Sequence, residues 1–275
     1  MKSKIVFLDI DGTLLDPSGR ILESTKNALR TASENGHRFY LCTGRSLAEI
    51  SDDILSLPIS GIIGAGGGYI QAEDKVVFHK VLDKEPLRQL LDFFKVHRVE
   101  YYLETNEGLF ASEHLKSKIR SMVYTPEKNS KSLEHVEEFL NLMIEDTSRI
   151  DYDHINKLSF INDTIPYTDI YQRFKNDFQV IPSTVPDFGE DSGEVGVKNI
   201  HKQTAIEYIL HYLNYNKADT LAFGDGHNDV EMFAAVHIGI AMGNAGDQLM
   251  AVADEVTASN AEDGIALGLE KHGLI

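Results

Sequence analysis

The sequence predicts an α/β protein with a doubly wound, Rossmann-like parallel sheet and an inserted α+β module. Up to about residue 82, short apolar runs alternate with amphipathic stretches of helical period. This alternation is typical of parallel strands joined by crossover helices. A less regular mixture of strands and helices fills the middle of the chain, and the alternation returns near residue 198. We therefore predict a core domain of residues 1–82 and 198–275, and an inserted cap domain of residues 83–197.

The first predicted strand is the apolar run Ile5–Leu8, which is followed by two carboxylates one residue apart, Asp9 and Asp11. Such a run suits a strand buried on both faces, although its periodicity also allows a short helical segment. In open α/β sheets the crevice lies beyond the carboxyl ends of the strands, and alternate residues can both face it. Gly12 then allows a sharp turn. Taken alone, the pair has two interpretations: an active site, or aspartates that cap the next turn.

The next elements show helical and strand signals in turn. A helix is predicted over residues 24–35, with Ser24 or Thr25 as its cap and Gly36 just beyond its end. A strand over Arg38–Cys42 leads to Thr43. A second amphipathic helix is predicted from four apolar residues at helical spacing: Leu47, Ile50, Ile54 and Leu57.

A glycine-rich loop at residues 64–68 follows the third predicted strand, residues 61–63. Such a loop can hold phosphate, but this one lacks both the dinucleotide-binding pattern and the Lys-Ser/Thr ending of a phosphate loop. We therefore interpret it as a tight structural turn. Residues 70–77 then resemble a hairpin that turns at Glu73 and Asp74.

The rest of the chain is predicted from the same signals. The cap is predicted to contain helices at 86–96, 113–121, 133–144 and 166–174, and strands at 100–105, 109–110, 157–161, 178–182 and 194–197. The core then resumes with a helix that opens at Lys202, strands at 220–223, 237–242 and 255–257, and a helix at 247–252.

Composition limits the possible classes of function. The chain has 43 acidic and 26 basic residues, and its formal net charge is −17. Because such a surface repels polyphosphate backbones, we expect no nucleic-acid partner, and an anionic substrate must be attracted by local cations or a metal. Cys42 is the only cysteine, which favours a cytoplasmic setting. We expect no membrane association, because Asp9 and Asp11 interrupt the N-terminal apolar run too early for a signal peptide or a membrane span.

Polar residues of complementary kinds stand at four predicted strand or helix ends. They are Asp9 with Asp11, then Thr43, then Lys202, and finally Asp225 with Asn228 and Asp229. Phosphoryl transfer needs a carboxylate nucleophile, a hydroxyl donor, an ammonium group and a cation, because negative charge must be stabilised on three phosphoryl oxygens. Together these residues indicate phosphoryl-transfer chemistry.

In this order the four motifs resemble those of the haloacid dehalogenase superfamily of phosphatases. The motifs are Asp9-Ile10-Asp11-Gly12-Thr13, Thr43-Gly44-Arg45, Lys202, and Gly224-Asp225-Gly226-His227-Asn228-Asp229. The insertion after the second motif, the run at residues 241–245 and the later residues 263–265 resemble the Cof-type branch, which has a large α+β cap. The resemblance spans the whole chain.

The resemblance implies a role for each matching residue. Asp9 is expected to be the nucleophile that forms an aspartyl phosphate, and Asp11 the general acid for the leaving oxygen and then the base for water. Thr43 with Gly44, Lys202 and Asn228 is expected to bind the phosphoryl group. Asp11 in this position is also typical of phosphatases and phosphomutases rather than of the transport ATPases or dehalogenases of the superfamily.

The resemblance also implies a Mg²⁺ site. Asp9, the backbone carbonyl of Asp11 and Asp225 are expected to hold the ion, and Asn228 and Asp229 to complete or support the site. A ligand set made only of oxygen atoms suits a hard, well-hydrated cation better than zinc.

Two positions depart from the family pattern. Lys202 is followed by Gln203 where the family usually has glycine, and the nearby Lys198 is a competing candidate for the same role. We prefer Lys202, because it stands at the start of the predicted helix. The chain also has Gly66-Gly67-Gly68 where the family often has Asn-Gly-Ala. Any substrate contact that the asparagine makes in relatives is therefore missing here.

We therefore expect a cytoplasmic, Mg²⁺-dependent phosphomonoesterase that acts on a small phosphorylated metabolite, such as a sugar phosphate or a phosphorylated cofactor. Two alternatives stay open: a phosphomutase that returns the phosphoryl group to substrate, and a catalytically silent module that binds a phosphorylated ligand. The sequence names neither the substrate nor the oligomeric state.

Overall fold

The computed structural model describes residues 3–124, 130–183 and 185–275. The chain divides into two compact units, which we call the core unit and the cap unit. The core unit contains Met1–Arg45, Ile50–His79 and Ile200–Ile275, and the cap unit contains Ser46–Glu49 and Lys80–Asn199. No helix of the described residues is long and apolar enough to cross a membrane.

The helices and strands are numbered along the chain. The first part of the core unit contains β1 (Ile5–Leu8), α1 (Glu23–Glu34), β2 (Arg38–Cys42), α2 (Asp52–Leu55), β3 (Ile59–Gly64), β4 (Tyr69–Ala72) and β5 (Lys75–His79). The cap unit contains α3 (Lys84–His97), β6 (Glu100–Glu104), β7 (Leu109–Ala111), α4 (Leu115–Val123), α5 (Ser130–Leu142), β8 (Met143–Ile144), β9 (Lys157–Ile161), α6 (Tyr167–Phe174), β10 (Gln179–Pro182) and β11 (Gly193–Gly196). The second part of the core unit contains α7 (Lys202–Tyr212), β12 (Thr220–Gly224), α8 (Asp229–Ala235), β13 (Ile238–Ala241), α9 (Asp247–Met250), β14 (Glu255–Val256) and α10 (Gly264–Lys271).

The core unit is organised around one sheet, whose strand order is β14-β13-β12-β1-β2-β3-β4-β5. The strands from β14 to β3 are parallel, and β4 and β5 are antiparallel additions at one edge. The four side chains of β1 are fully buried. Burial of a large apolar side chain contributes roughly 1.5–3 kcal/mol, so this central strand is a strong local source of stability. The predicted α/β class with a parallel sheet is confirmed.

The glycine-rich loop forms a tight turn over Ala65–Gly67 between β3 and the antiparallel β4. At Gly67 the backbone φ is +113°, and a Cβ atom would lie 2.6 Å from the carbonyl oxygen of His201. Close backbone packing therefore accounts for glycine here, which agrees with the structural interpretation. The predicted hairpin is also present: β4 and β5 pair, and Glu73 has a left-handed φ of +54° in the turn.

Two predictions about the first helices were wrong. Neither Ser24 nor Thr25 caps α1: Leu22 precedes the helix without a side-chain cap, and the Ser24 hydroxyl donates to Asp263 Oδ1 instead. The predicted second helix is divided into a turn at Leu47–Glu49 and the short α2. The chain is extended between them, at Ser51, where φ is −71° and ψ is 155°.

The periodic apolar side chains of that segment are still largely buried. Ile50, Ile54 and Leu57 are 6%, 1% and 8% exposed, so the pattern correctly marked residues that face a core. The break between the turn and α2 falls where the chain passes from Ser46–Glu49 of the cap unit to Ile50 of the core unit. Tertiary context here overrides the local helical pattern.

The cap unit has its own mixed sheet, whose strand order is β10-β11-β9-β6-β7-β8. Apolar residues of α3 and α6, including Leu90, Phe94 and Phe174, pack with Leu103 and Phe160 of the sheet in one buried cluster. The predicted helix at 133–144 ends at Leu142, and the last two residues form β8, which pairs in parallel with β7. Most other predicted cap elements occur within two or three residues of their predicted bounds.

Candidate active site

Asp9 lies at the carboxyl end of β1, between the ends of β2 and β12. Its N–H donates to the carbonyl oxygen of Phe223 at 3.1 Å, so the backbone is fixed to β12 at the point where the strand ends. The residue is only 5% exposed. A tight turn over Ile10–Leu14 follows, in which Gly12 has a left-handed φ of +74°. The end of β1 thus positions a nearly buried carboxylate at the edge of the sheet, and the chain turns directly after it.

The turn after β1 is held against the end of β12. Thr13 Oγ1 donates to Asp225 Oδ1 at 2.9 Å, and Asn244 Nδ2 donates to the Gly12 carbonyl oxygen at 2.8 Å. A Cβ atom on Gly12 would lie 2.1 Å from Asp225 Oδ2. Glycine is therefore required both for the backbone conformation and for the close approach of the Asp225 carboxylate.

Lys202 connects two aspartates inside the core unit. It is the first residue of α7, a helix whose start is fixed by reciprocal hydrogen bonds between His201 and Thr204. The Lys202 side chain is 2% exposed, and Nζ donates to Asp9 Oδ1 at 2.7 Å and to Asp229 Oδ1 at 2.6 Å. Burial of the lysine without these bonds would be costly, so the two carboxylates are the reason it can be buried here.

Asp229 organises the loop after β12. Its carboxylate is fully buried, and Oδ2 accepts hydrogen bonds from the backbone N–H groups of Asp225 and Gly226, each at 3.0 Å. Its other oxygen, Oδ1, accepts from Lys202. The side chain thus shapes the loop that positions Asp225 and also fixes the lysine ammonium.

The charges of this cluster are not balanced by the part of the chain that the structure describes. One oxygen from each of Asp9, Asp225 and Asp229 lies within 4.8 Å of the others. The three carboxylates and the single Lys202 ammonium leave two negative charges when all are ionised. Burial raises the pKa of Asp9 to about 7, although the Lys202 ammonium lowers it, and burial raises the pKa of Asp225 to about 6. A divalent cation fits this set of hard oxygen ligands and would restore the ionised forms.

The Asp11 carboxylate lies outside this cluster. Its side chain is 62% exposed, and Arg45 binds it through Nε at 2.9 Å and through a terminal nitrogen at 2.5 Å. Two parallel bonds of this kind fix the orientation of a carboxylate. Arg45 therefore positions Asp11.

Thr43 and Gly44 follow β2 at the same edge of the sheet. Thr43 is 1% exposed, its N–H donates to the Ile63 carbonyl oxygen at 2.9 Å, and its Oγ1 accepts from the Arg45 N–H at 3.1 Å. A Cβ atom on Gly44 would meet nothing within 4 Å. No described residue accepts a hydrogen bond from the Thr43 hydroxyl, so it can donate to a ligand, and the backbone at Gly44 is open to an approaching group.

The predicted site residues thus fall into three sets in the described chain. Asp9, Lys202, Asp225 and Asp229 are in mutual contact or within 4.8 Å, as a metal or phosphoryl site requires. Asn228 is exposed at the start of α8. The remaining predicted residues occupy neighbouring turns at the same edge of the sheet: Asp11, Thr43 and Gly44.

Lys198, the competing lysine, is exposed in the cap unit, and its Nζ donates to the Asn176 carbonyl oxygen at 3.0 Å. Sequence reasoning did not identify the positioning roles of Arg45, Thr13 and Asn244. Arg45 and Thr13 stood within the recognised motifs, but nothing in the order of residues indicated their partners.

A comparison with protein families gives one match over nearly the whole chain. A family model described as haloacid dehalogenase-like hydrolase matches residues 6–269. The matched range contains every residue of the site described above. The match thus covers both parts of the core unit and the cap unit between them.

Relatives and solved structures also match along the full length. In Bacillus subtilis (strain 168), "Putative phosphatase YkrA" is 28% identical over 286 residues, which cover 100% of each chain. The 5-amino-6-(5-phospho-D-ribitylamino)uracil phosphatase YitU of the same organism is 26% identical over 278 residues, which cover 98% of each chain. The solved structure of a hypothetical protein from Geobacillus kaustophilus HTA426 has a TM-score of 0.83 and 26% identity, with 99% of this chain and 100% of that chain covered.

Proposed function

Because the chain belongs to the haloacid dehalogenase-like hydrolase family, we propose that it hydrolyses phosphate monoesters of small metabolites, with Mg²⁺ and through an aspartyl-phosphate intermediate. The predicted family and the enzyme class, a phosphatase of the haloacid dehalogenase type, are confirmed by the family match and by the full-length phosphatase relatives. The metal, the intermediate and the substrate class form the proposal.

The observation that carries the proposal is the way Lys202 holds Asp9. Nζ binds Oδ1 at 2.7 Å, and no described residue donates a hydrogen bond to Oδ2. One oxygen of a nearly buried carboxylate is thus fixed by an ammonium, while the other is left for chemistry. A positioned carboxylate is a competent nucleophile when a general acid can protonate the leaving group.

In the first step, an oxygen of Asp9 bonds to phosphorus and the bond from phosphorus to the ester oxygen breaks. Asp11 gives its proton to the departing alkoxide. In the second step, Asp11 takes a proton from water, the water oxygen bonds to phosphorus, and the Asp9 carboxylate is released. The exposure of Asp11 supports this dual role, because its carboxyl can reach both a leaving oxygen and solvent.

The phosphoryl oxygens would be bound by residues at the edge of the core sheet. The Thr43 hydroxyl and the backbone at Gly44 can donate hydrogen bonds, the Lys202 ammonium supplies positive charge, and the exposed Asn228 amide offers two more donors. These groups are mostly fixed by the fold before substrate arrives. Prior organisation of this kind is what lowers the barrier of phosphoryl transfer.

Asp9, Asp225 and Asp229, with the backbone carbonyl of Asp11, would hold the Mg²⁺ ion or support its site. When bound, the ion would neutralise the crowded carboxylates and the developing charge on the phosphoryl group. The two uncompensated negative charges of the aspartate and lysine cluster support a divalent cation rather than a monovalent one.

Two observations support a small phosphorylated metabolite as substrate. The name of YitU describes a phosphatase of a phosphorylated ribitylaminouracil, which is a small molecule. The alignment with YitU covers 98% of this chain. A cap unit of over a hundred residues, from Lys80 to Asn199, is also of a size that can enclose a small ligand and exclude water. A cytoplasmic location is part of the same proposal, because most such metabolites are intracellular.

The first experiment is a measurement of phosphate release from sugar phosphates, nucleotides, pyridoxal phosphate and flavin mononucleotide, with Mg²⁺ and with excess chelator. Native protein is compared with Asp9→Asn and with Asp74→Asn, an exposed aspartate of the β4–β5 turn that serves as the control. We expect release that requires Mg²⁺, is lost in Asp9→Asn and is unchanged in Asp74→Asn.

Two further readouts test the mechanism with the best substrate. Hydrolysis in ¹⁸O-labelled water must place solvent oxygen in the released phosphate, and borohydride must convert a trapped aspartyl phosphate at Asp9 to homoserine. Transfer of phosphate to substrate without solvent oxygen would instead identify a phosphomutase. Binding of phosphorylated compounds with no turnover would identify a silent binding module, and either result would overturn the proposal.

A further inference from the structure

The turn that carries Asp11 is bonded at two points to asparagine side chains from the second part of the core unit. Asn244 Nδ2 donates to the Gly12 carbonyl oxygen at 2.8 Å, and Asn260 Nδ2 donates to the Leu15 carbonyl oxygen at 2.6 Å. These contacts span 232 and 245 positions of the chain. The turn after the proposed nucleophile is therefore fixed by residues far from it in sequence.

The two asparagines also contact each other. The Asn260 N–H donates to Asn244 Oδ1 at 2.9 Å, so both polar atoms of the Asn244 amide are used at once. An amide fits this position because it carries an acceptor and a donor on one planar group. A carboxylate in place of either asparagine would turn an oxygen atom towards a backbone carbonyl oxygen, and neither atom could donate. The arrangement therefore depends on an amide at both positions.

Asn260 reaches the turn because its segment lies against the loop after β13. The Gly243 N–H donates to the Ala258 carbonyl oxygen at 3.0 Å. A Cβ atom on Gly243 would lie 2.8 Å from the Ser259 nitrogen, so the two segments are in direct contact. Asn260 is only 8% exposed. Its backbone is thus held beside this loop, and its side chain is directed to the turn.

The bond from Asn244 to Gly12 affects Asp11 through the backbone. Peptide groups are planar, so the orientation of one relative to the next depends on φ and ψ of the residue between them. Gly12, with φ of +74° and ψ of −5°, joins the peptide group that follows Asp11 to the one whose carbonyl is bonded. Because glycine tolerates a wide range of these angles, a bond that fixes its carbonyl limits the freedom of Asp11.

The position of the Asp11 carboxyl depends strongly on this backbone, because the side chain is 62% exposed. Arg45 binds the carboxyl group itself, whereas the two asparagines act on the turn that carries it. A general acid must lie within hydrogen-bond reach of the leaving oxygen, and a misplacement of about 1 Å can lower a rate by roughly a hundredfold. Residues that fix the turn can therefore affect catalysis without contact with substrate.

From the paired amides and their two bonds to the turn, we propose that Asn260, acting with Asn244, is a positioning residue that holds Asp11 in place to protonate the leaving group. The inference rests on the proposed function, in which Asp11 is the general acid. Asn260 acts through the turn and not on the substrate. The effect of its loss should therefore fall on proton donation rather than on substrate binding.

The kinetic test compares two substrates that differ in their need for a proton. The best alkyl phosphate of the substrate panel releases an alkoxide that must be protonated, whereas p-nitrophenyl phosphate releases a stable anion. We expect Asn260→Asp to lower kcat/KM about tenfold for the alkyl phosphate and less than about twofold for p-nitrophenyl phosphate. For the alkyl phosphate the loss should appear in kcat, with KM nearly unchanged. A purely structural loss of active protein would lower both kcat/KM values by the same factor.

Two further variants calibrate this comparison. Asp11→Asn removes the proposed general acid and should lower kcat/KM for the alkyl phosphate about a hundredfold, with a much smaller loss for p-nitrophenyl phosphate. Asn35→Asp is the matched control, because Asn35 Nδ2 also donates to a backbone carbonyl oxygen, that of Leu274, at 2.9 Å. Asn35 precedes β2, whereas Thr43 follows it, so the control alters the opposite edge of the sheet. It should leave the ratio of the two kcat/KM values unchanged.

Amide hydrogen exchange tests the turn without any enzymatic activity. The peptide of residues 9–16 contains the Leu15 N–H, which donates to the Ile10 carbonyl oxygen at 3.0 Å. We expect this peptide to exchange about tenfold faster in Asn260→Asp than in the native chain, and the peptide that covers β2 to exchange at the native rate. Thermal unfolding checks that the variant is folded. If it is not, Asn260→Ala replaces it in both tests, because alanine removes the amide without adding a charge.

The inference is overturned if the Asn260 variant lowers both kcat/KM values equally, or if its residues 9–16 exchange at the native rate. Failure of the proposed function gives a different result. Native protein would then release phosphate from neither compound, or Asp11→Asn would leave the ratio of the kcat/KM values unchanged. In that case faster exchange in the Asn260 variant still supports its role in fixing the turn, and exchange at the native rate overturns that role as well.

Discussion

The ammonium of Lys202 lies 2.7 Å from Asp9 Oδ1, and the two side chains are only 2% and 7% exposed. A buried ion pair is weak evidence for stability, because desolvation of both charges offsets much of their attraction. Asp229 provides a second carboxylate at 2.6 Å, which leaves the cluster with excess negative charge rather than neutral. Such an arrangement is difficult to explain as a device for stability alone, and it is well suited to holding a nucleophile and a metal.

We predict that Lys202→Met lowers kcat/KM by about a thousandfold, because it removes the one buried cation that contacts Asp9 among the described residues. The pKa of Asp9 should also rise further, since the Lys202 ammonium lowers it in the native chain. The matched control is Lys198→Met, which alters an exposed lysine of the cap unit. Steady-state kinetics on the best substrate of the panel measure kcat/KM for both variants. A large loss in Lys198→Met with normal activity in Lys202→Met would reverse the assignment.

Gly12→Ala should abolish activity, because its Cβ would lie 2.1 Å from Asp225 Oδ2 and displace that carboxylate. Gly19→Ala is the matched control: its φ of +75° nearly equals the +74° of Gly12, but a Cβ there meets nothing within 4 Å. Both variants carry the conformational cost of about 1–2 kcal/mol for left-handed backbone.

Only Gly12→Ala carries the additional cost of the collision, about 1–3 kcal/mol. Chemical denaturation and phosphate release compare the two variants. Equal loss of activity in both would show that backbone strain, rather than the position of Asp225, is responsible.

Asp225→Asn should separate metal binding from stability. Burial raises the pKa of Asp225 to about 6 from its ordinary 3.8, so its ionisation lowers native stability as the pH rises through that interval. Without metal at pH 8, the variant should therefore be more stable than the native chain by about 1 kcal/mol. With Mg²⁺, only the native chain should gain stability, because ligands that bind the folded state raise its unfolding temperature.

Thermal unfolding with chelator and with Mg²⁺ measures both effects of Asp225→Asn, and Asp74→Asn is again the control. An increase of the unfolding temperature of the variant by Mg²⁺, equal to that of the native chain, would exclude Asp225 as a ligand.

The cap unit also contains a buried acid. Glu104 is 1% exposed; Oε1 accepts from Ser159 Oγ at 2.9 Å, and Oε2 lies 3.3 Å from Lys157 Nζ but accepts no hydrogen bond from the described residues. Burial raises the pKa of Glu104 well above its ordinary 4.5. The native chain should thus lose stability as the pH rises above about 4.5, because the folded state holds the proton more tightly than the unfolded state.

Glu104→Gln should flatten this pH dependence, since a neutral amide has no proton to lose. Glu107→Gln, at an exposed position of the same hairpin, should leave the dependence unchanged. Denaturant unfolding at several pH values measures the difference. A pH dependence that persists in Glu104→Gln would mean that another group causes it.

Local patterns in the sequence predicted much of the fold. The strands Arg38–Cys42 and Lys157–Ile161 occur at their predicted bounds, and α7 begins at Lys202 as expected. Apolar runs and the residues that begin or end helices predict these elements well, because their effects extend over only a few neighbouring positions. The pattern failed between Leu47 and Leu57, where the chain passes from the cap unit to the core unit and forms two short elements instead of one helix. The C-terminal helix α10 was also missed.

By itself, the sequence determined which residues could do the chemistry, because carboxylate, hydroxyl and ammonium groups stood after apolar strands in a recognisable order. Only the tertiary structure decided their contacts. Lys202 meets Asp9 across 193 positions of the chain, Thr13 meets Asp225 across 212, and Arg45 meets Asp11 across 34. Such contacts depend on which strands become neighbours in the sheet. That choice is a property of the whole packed core rather than of any short stretch of residues.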